Sequence, residues 1–379
     1  MKTFKLKALS AVVAVGMMIG ASAASAQVIG GGATLPEDLY NDLFTTAPLP
    51  GFAPYVGTGS GKGKTAFFTN EGAVFNAPGQ TVDYAGSDSL IDQSNVDGYD
   101  DAAYGALIFI PSVLTSVTVP YNLPSLPSID LNSEQLAGIF DGTYTNWNQV
   151  GGPNQPITVV YRSESSGTSE IFTRHLAEID DDFVTDSTFY KALGKSSVSE
   201  LPSNFQGATG SNGVVAAVNQ TVGAIGYVSP DKIDADFNKP VELAAKVARI
   251  NGLLPTEVNV QAAIEEVPVP STEAQRRNPL AWGISNPNPS AGYPIVASTN
   301  LILSQCYQAA ADNTRIRDML NKLYGTAGTW DSEVTEHGFI PLPTAWKEAI
   351  HQTFWNQSDS LDLAVGNSAE CTSGRGRPS

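Results

Sequence analysis

Along this chain, short apolar or β-branched runs repeatedly give way to stretches whose apolar residues recur three and four apart. That alternation predicts an α/β architecture rather than an all-β one. Ile157-Thr158-Val159-Val160-Tyr161 reads as a strand, and Ser169 to Leu176 then sets Ile171, Phe172, His175 and Leu176 on one helical face. Asn132 or Ser133 is placed to cap a helix carrying Leu136, Ile139 and Phe140, and Ile316, Met319, Leu320 and Leu323 form the stripe of a core-facing helix. Gly30 to Pro36 is followed by Leu39, Tyr40, Leu43 and Phe44 at helical spacing, with Pro36 suited to a first helical turn. Between Leu201 and Asn288, Gly, Pro, Asn and Ser interrupt short apolar pieces, and the pattern assigns little there. Repeats and low-complexity linkers are absent, so two domains would be joined by short ordered crossings. The candidates lie near Thr118 to Tyr121 and near Tyr293-Pro294-Ile295, where a turn-rich stretch gives way to Val296 to Leu303.

Composition bounds the chemistry. The chain has 379 residues, 42% of them hydrophobic and 16% charged, which fits one large or two medium globular domains. Its net charge of −17 excludes a polyanionic partner such as nucleic acid, for which Lys/Arg clusters would be needed, and disfavours an anionic membrane surface. One small anion is a different matter, because salt screens surface charge beyond about 8 Å while an enclosed site is governed by the donors lining it.

The N-terminus reads as a secretory signal over residues 1–26: Lys2, Lys5 and Lys7, an apolar stretch from Ala8 to Ala21, and a small-residue cleavage site at Ala24-Ser25-Ala26. The apolar stretch is too short to span a bilayer, and no cysteine follows it to take a lipid. The expectation is a protein that is periplasmic or secreted and not inserted in a membrane. In an oxidising compartment Cys306 and Cys371, the only cysteines, are a candidate disulfide. A closed loop of that size contributes at most about 4 kcal/mol; the alternative is two free thiols.

Three corners concentrate backbone and hydroxyl donors: Gly30-Gly31-Gly32-Ala33-Thr34-Leu35-Pro36, Gly57-Thr58-Gly59-Ser60-Gly61-Lys62-Gly63, and Arg162-Ser163-Glu164-Ser165-Ser166-Gly167-Thr168-Ser169. A strand, then Gly/Ser/Thr donors, then a helix start is a physical recipe for oxyanion binding. Singly, such corners are more often tight turns or caps. Three together, one with an arginine able to make a bidentate contact, point to a site.

Other motifs fail. Gly63-Lys64-Thr65 ends like a nucleotide P-loop, but Thr58 stands where that motif needs glycine. Asp234, Asp236 and Asn238 imitate a calcium loop, yet Lys239 and Ala245 occupy the glycine and bidentate-acid positions. Asp180-Asp181-Asp182 reads as a solvated turn. His175, His337 and His351 lack zinc-ligand spacing and read as structural, and no Gly-x-Ser-x-Gly elbow occurs. No metal and no cofactor are expected.

Gly32-Ala33-Thr34-Leu35-Pro36, Gly57-Thr58-Gly59-Ser60, Asp83-Tyr84-Ala85-Gly86-Ser87-Asp88 and Arg162 through Ser169 occur in the order and spacing found in the periplasmic phosphate-binding proteins of ABC phosphate importers, the PstS-like family. The wording of the first and last segments resembles the DING subgroup more closely still, although Gln27-Val28-Ile29 replaces the residues that give it its name. The resemblance runs from Gly30 to about Trp355. It implies a two-lobed periplasmic-binding-protein fold of type II, with lobe I formed by residues 27–117 and 292–379 and lobe II by residues 118–291. Phosphate would close between them. By position, Thr34 and Leu35 would offer backbone N–H groups, and Thr34 and Ser60 hydroxyls. Arg162 would supply a charged fork held by Glu164, and Ser166, Gly167 and Thr168 the donors of the second lobe.

Asp88 carries the sharpest expectation. An ionised carboxylate accepts but does not donate, so beside an oxyanion it is favourable only if the ligand brings a proton. Phosphate brings one and sulfate does not, a mismatch that rejects sulfate. The functional expectation is high-affinity capture of inorganic phosphate for an ABC permease in the inner membrane, by a monomer that is not an enzyme. The alternatives are a secreted alkaline phosphatase-like phosphomonoesterase of the DING type, for which Ser60 and Ser166 are nucleophile candidates without an evident base, and an adhesive protein that kept the fold.

Overall fold

The β-branched run near residue 160 forms the centre of a small parallel sheet, and the glycine-rich N-terminal segment forms the middle of a larger one. The structure, a computed structural model, describes residues 27–46, 49–327 and 329–378; the expected leader, 1–26, lies outside the described residues. The strands are β1 (Gly30–Gly32), β2 (Val56–Gly57), β3 (Tyr84–Ser87), β4 (Leu107–Ser116), β5 (Asp130–Leu131), β6 (Thr158–Arg162), β7 (Phe205–Ala208), β8 (Ala224–Gly226), β9 (Arg249–Ile250), β10 (Ser285–Asn286) and β11 (Val296–Ser304). One sheet runs β10-β11-β3-β1-β2, with β4 also paired to β11. A three-stranded sheet runs β7-β6-β8, and β5 pairs with β9.

β1, β2 and β3 are mutually parallel, as are β6, β7 and β8, so each set brings the C-terminal ends of its strands to one edge. In open α/β sheets that edge is where ligands bind. β4 and β11, antiparallel and buried along their whole length, form the spine of the larger lobe. Beyond them the chain crosses between lobes along two adjacent segments: Val117 N donates to Ile295 O (2.9 Å) and Tyr293 Oη to Val117 O (3.0 Å). Thr118, Pro120 and Tyr121 then bridge to Val228, Val247 and Ile225 of the other lobe. Ser285–Asn286, on the far side of the expected 291/292 boundary, pairs with the larger sheet.

The helices follow the apolar pattern with adjusted ends. Asn132 caps Ser133–Phe140, accepting from Gln135 N at 2.7 Å, and Leu136, Ile139 and Phe140 are buried. The stripe of Ile316, Met319, Leu320 and Leu323 faces the core in Ala310–Tyr324. Pro36 precedes a helix of only five residues, Glu37–Asn41, which widens into a π turn over Asp42–Thr46; Leu39, Tyr40, Leu43 and Phe44 are buried. The helix expected from Ser169 begins two residues earlier, at Gly167, because Ser166 caps it by accepting from Ser169 N. Its Phe172 stacks on Tyr227 (4.5 Å between centroids) and meets Phe140 edge-on (4.7 Å). Burial of a phenylalanine like Phe172 contributes about 2–3 kcal/mol, and here it holds the helix against Phe140 and Tyr227.

Cys306 and Cys371 are joined in a disulfide that ties the C-terminal tail to the larger lobe. The tail then inserts Arg377, whose buried guanidinium bonds Ser304 Oγ, Asn70 Oδ1, Val82 O and Phe67 O and lies over the Phe67 ring at 3.7 Å. Nearby, buried Asp83 accepts from Ile29 N (2.7 Å) and so anchors the start of β1. Burial pushes its carboxyl up to about 7, the Ile29 N–H pulling down, Asp312 adding repulsion and Arg377 opposing it. The unfolded chain releases this proton near pH 4, so between about pH 4 and 7 the folded state holds more protons and stability falls as pH rises. Asp83→Asn is therefore expected to gain on wild type in melting temperature as pH goes from 5 to 8; a constant difference across that range would refute the assignment.

Candidate functional site

The donor-rich corners meet where the two sets of parallel strands end. From β1 the chain runs into Ala33, Thr34 and Leu35. From β2 it turns through Gly59, whose φ of 92° suits glycine, and starts a helix at Ser60. From β3 it reaches Asp88 one residue past the strand. Opposite, β6 ends at Arg162 and leads to the helix start at Gly167, while β7 ends at Ala208 and leads to a helix at Gly210.

Arg162 organises the second lobe's side. Only 2% exposed, it is tied by its backbone N to Tyr227 Oη (3.1 Å), which also bonds Ser169 Oγ (2.7 Å). Its Nε donates to Glu164 Oε1 at 2.7 Å, and Nη2 reaches the same oxygen. Glu164 Oε1 also accepts from Gly210 N (3.0 Å), so one carboxylate holds both the guanidinium and a neighbouring helix start. Nη2 further donates to Thr34 Oγ1 across the cleft (3.0 Å), and Nη1 faces Ser211 Oγ (3.5 Å). Ser211 lies beside Arg162 in the cleft, a candidate that the sequence reading missed. Its signal was present: β7 hands over through Thr209-Gly210-Ser211 to a helix, the same recipe as Arg162 to Ser169.

On the first lobe's side, Ser60 Oγ accepts from Asp88 N (3.1 Å) and lies 3.5 Å from Asp88 Oδ2. Both residues are expected in one site from the sequence; their direct contact through the Ser60 hydroxyl is not. Ser60, Asp88, Ser166 and Thr168 are all buried, and Thr168 Oγ1 and Asp88 Oδ1 have no hydrogen-bond partner. Ser166 N is committed to Ser187 O (2.8 Å), and its Oγ accepts from Ser169 N, leaving only its hydroxyl proton to donate. The first N–H groups of the helices at Ser60 and Gly167 have no intrahelical acceptor, and these two starts face each other: a Cβ built on Gly167 would lie 2.5 Å from both Asp88 Cβ and Ser60 Oγ. Leu35 is wholly buried in the core behind Thr34.

The cleft is closed. Besides Arg162 to Thr34, Leu90 N donates to Glu170 Oε1 (3.3 Å) and Arg174 Nη1 to Ser285 Oγ (3.4 Å). Lys232 pairs with Asp38 of the opposite lobe and with Asp231 beside it (3.0 Å). Burial pushes the Asp88 carboxyl up to about 7; the Thr299 hydroxyl, Arg162 and the Ser60 hydroxyl oppose this, and Asp231 adds to it. Asp231, buried in turn, is pushed up to about 6 although Lys232 holds it down. Two helix starts, one braced guanidinium, several hydroxyls and a single buried acceptor can enclose a small oxyanion that carries a proton.

The histidines lie elsewhere. His175 Nδ1 meets Pro287 O (2.7 Å) and Nε2 meets Ser133 Oγ (3.1 Å), His337 faces Asp42, and His351 stacks on Trp355. Among the described residues, no three His, Cys, Asp or Glu side chains are grouped to hold a metal ion, and no helix is long and apolar enough to cross a membrane.

Residues 20–311 match the PBP superfamily domain. The chain is 43% identical to "Alkaline phosphatase L" of Pseudomonas aeruginosa, over 99% of this chain and 100% of that protein. It is 39% identical to a protein named "Phosphate-binding protein" from an unknown prokaryotic organism, over 92% of this chain and 99% of that one. Among solved structures, it superimposes with a TM-score of 0.83 on a high-affinity periplasmic phosphate-binding protein (PfluDING) bound with phosphate, at 39% identity over 93% of this chain and 99% of the other.

Proposed function

This chain belongs to the PBP superfamily, in its PstS-like, DING-type branch, and from that premise we propose that it binds inorganic phosphate outside the cytoplasm and delivers it to an ABC importer. The observation that carries the reading is Asp88: one buried carboxylate set against two helix starts and a braced arginine. Thr34, Leu35, Ser60, Arg162, Ser166, Gly167 and Thr168 supply the donors, Glu164 orients Arg162, and the Asp88 carboxylate accepts a hydrogen bond from the protonated oxygen of phosphate. The lobes follow residues 27–117 with 292–379, and 118–291, except that Ser285–Asn286 goes with the first through its pairing to β11, and they close about the paired crossings. Residues 1–26 direct export to the periplasm, where a monomer meets the permease of the inner membrane.

Phosphate and sulfate titrated calorimetrically into wild type should give tight phosphate binding and weak or no sulfate binding; equal affinity for both would end the proposal. Asp88→Asn offers an amide donor in place of the acceptor. It should lower the phosphate-to-sulfate ratio at pH 8 by about a hundredfold, the loss of a hydrogen bond to a charged group on one ion and its gain on the other.

The name of the Pseudomonas relative, with Ser60 Oγ 3.5 Å from Asp88, favours a second reading as a phosphomonoesterase. We read the site as binding without turnover, because hydrolysis needs an activated nucleophile and charge stabilisation beyond one arginine, and among the described residues the Ser60 hydroxyl has no histidine or lysine hydrogen-bonded to it, only Asp88. Nitrophenol release from nitrophenyl phosphate that survives repurification and is lost in Ser60→Ala would reverse that choice.

A further inference from the structure

Asp88 is backed by a polar layer in the larger sheet that no part of the binding site requires. β11 pairs with β3 at Asn300↔Ser87, Leu301↔Gly86 and onward, and the next step of that antiparallel register sets Thr299 opposite Asp88. On its other edge, β11 pairs Thr299 with Val113 but Asn300 with Pro111, so Ser112 is an extra residue and β4 bulges at this point. Bulges re-aim side chains and recur beside functional sites. Here the bulge sets Ser112 Oγ to donate to Thr299 O (3.0 Å), and Tyr40 Oη backs Ser112 Oγ at 2.5 Å. Thr299 is wholly buried, paired with Val113 on the β4 side and with its carbonyl held by Ser112.

Ser298 and Asn300, the polar neighbours of Thr299 on this strand, are buried and hydrogen-bonded, and a buried hydroxyl left without a partner costs stability unless it is used. Thr299 Oγ1 completes no hydrogen bond of good geometry in the closed cleft, and neither does Asp88 Oδ1. The hydroxyl nonetheless acts on that carboxyl, favouring its ionised form more than any other neighbour does. The remaining groups that face Asp88 are the Ser60 hydroxyl from the helix start, the Arg162 cation from β6, and Asp231 from the turn after β8, whose negative charge works the other way. Tyr40 and Tyr55, both buried and neutral, feel the Asp88 charge from behind.

We propose that Thr299 is the positioning residue for Asp88: its hydroxyl, aimed by the bulge at Ser112, holds the carboxylate as an acceptor and thereby sets the selectivity for an oxyanion that carries a proton. The inference rests on the phosphate-binding reading given above. An Asp88 that keeps its own proton is a donor, and a donor welcomes sulfate as readily as phosphate. Selectivity in wild type therefore rises with pH as Asp88 ionises, and removing the hydroxyl displaces that rise to higher pH.

The test measures phosphate and sulfate affinities from pH 6 to 9 for wild type, Thr299→Val and Thr299→Ser. Valine keeps the β-branched shape and loses the hydroxyl; serine keeps the hydroxyl. Thr299→Val is expected to move the midpoint of the selectivity profile up by about one pH unit, with about a tenfold loss of selectivity at pH 7, and Thr299→Ser to restore the wild-type profile. If the valine variant does not fold, Thr299→Ala carries the same expectation. A profile for the hydroxyl-free variant that overlays wild type, or a serine variant as displaced as the valine one, overturns the proposal. Wild type that binds neither ion defeats the phosphate reading itself, a result distinguishable from both.

Discussion

Arg162→Ala is expected to raise the phosphate dissociation constant by two to three orders of magnitude while leaving the fold of both lobes intact. The guanidinium is the only cation that the structure places in direct hydrogen-bonding contact with the Thr34 and Ser211 hydroxyls of the cleft among the described residues, and it is almost wholly buried. Its removal takes away a charged donor and leaves Glu164 Oε1 beside the anion without its counter-ion. Truncating one partner of a desolvated, hydrogen-bonded charge pair in a binding site costs about 2–5 kcal/mol of affinity, and each 1.4 kcal/mol is tenfold. Arg162→Lys should recover little, since an ammonium lacks the planar fork that fixes the directions of the bonds to Glu164, Thr34 and a ligand. Calorimetric titration decides it: a loss of less than threefold would show that the helix starts and hydroxyls bind the ion unaided.

Gly167→Ala should produce a comparable loss by a different route. In a helix, alanine is the better former by about 1 kcal/mol, so the second lobe should be no less stable on its own. The added Cβ would lie 2.5 Å from Asp88 Cβ and Ser60 Oγ and 2.8 Å from Ser89 N, all on the opposite lobe. Those neighbours include a backbone nitrogen and two buried side chains, which have no room to withdraw. The lobes would stop short of closure, and donors that must converge within hydrogen-bond distance would face the anion from one side only. We expect at least a hundredfold weaker phosphate binding, an unchanged melting temperature without ligand, and small-angle scattering that no longer compacts when phosphate is added. Compaction equal to wild type would refute the steric account. Scattering also separates the two variants, because Arg162→Ala keeps a cleft that can close geometrically.

The comparison between sequence and structure follows how far apart the cooperating residues lie. Strand-to-helix corners were legible because the pattern, the cap and the donors sit within about eight residues, and Asn132, Ser166 and the stripe from Ile316 to Leu323 behave accordingly. The stretch from Leu201 to Asn288 was opaque because its strands are two to four residues long, too short for a period to show, and so Ser211 went unnoticed beside Arg162. The net charge of −17 spoke only against polyanions, since salt screens distant charge while an enclosed ion answers to the donors around it.

By itself, then, the sequence determined the α/β alternation, the glycine-rich helix starts, the arginine and aspartate proposed for the site and the resemblance that joins them, because each is written in a short window of backbone preference and side-chain chemistry. Only the tertiary structure decided which groups act on one another. Thr34 meets Arg162 128 residues away, Asp38 meets Lys232 across the cleft, and Thr299 comes to lie behind Asp88 through a sheet register and a one-residue bulge in β4. Those pairings are set by how two sheets stack and how two lobes close, and no local preference encodes them.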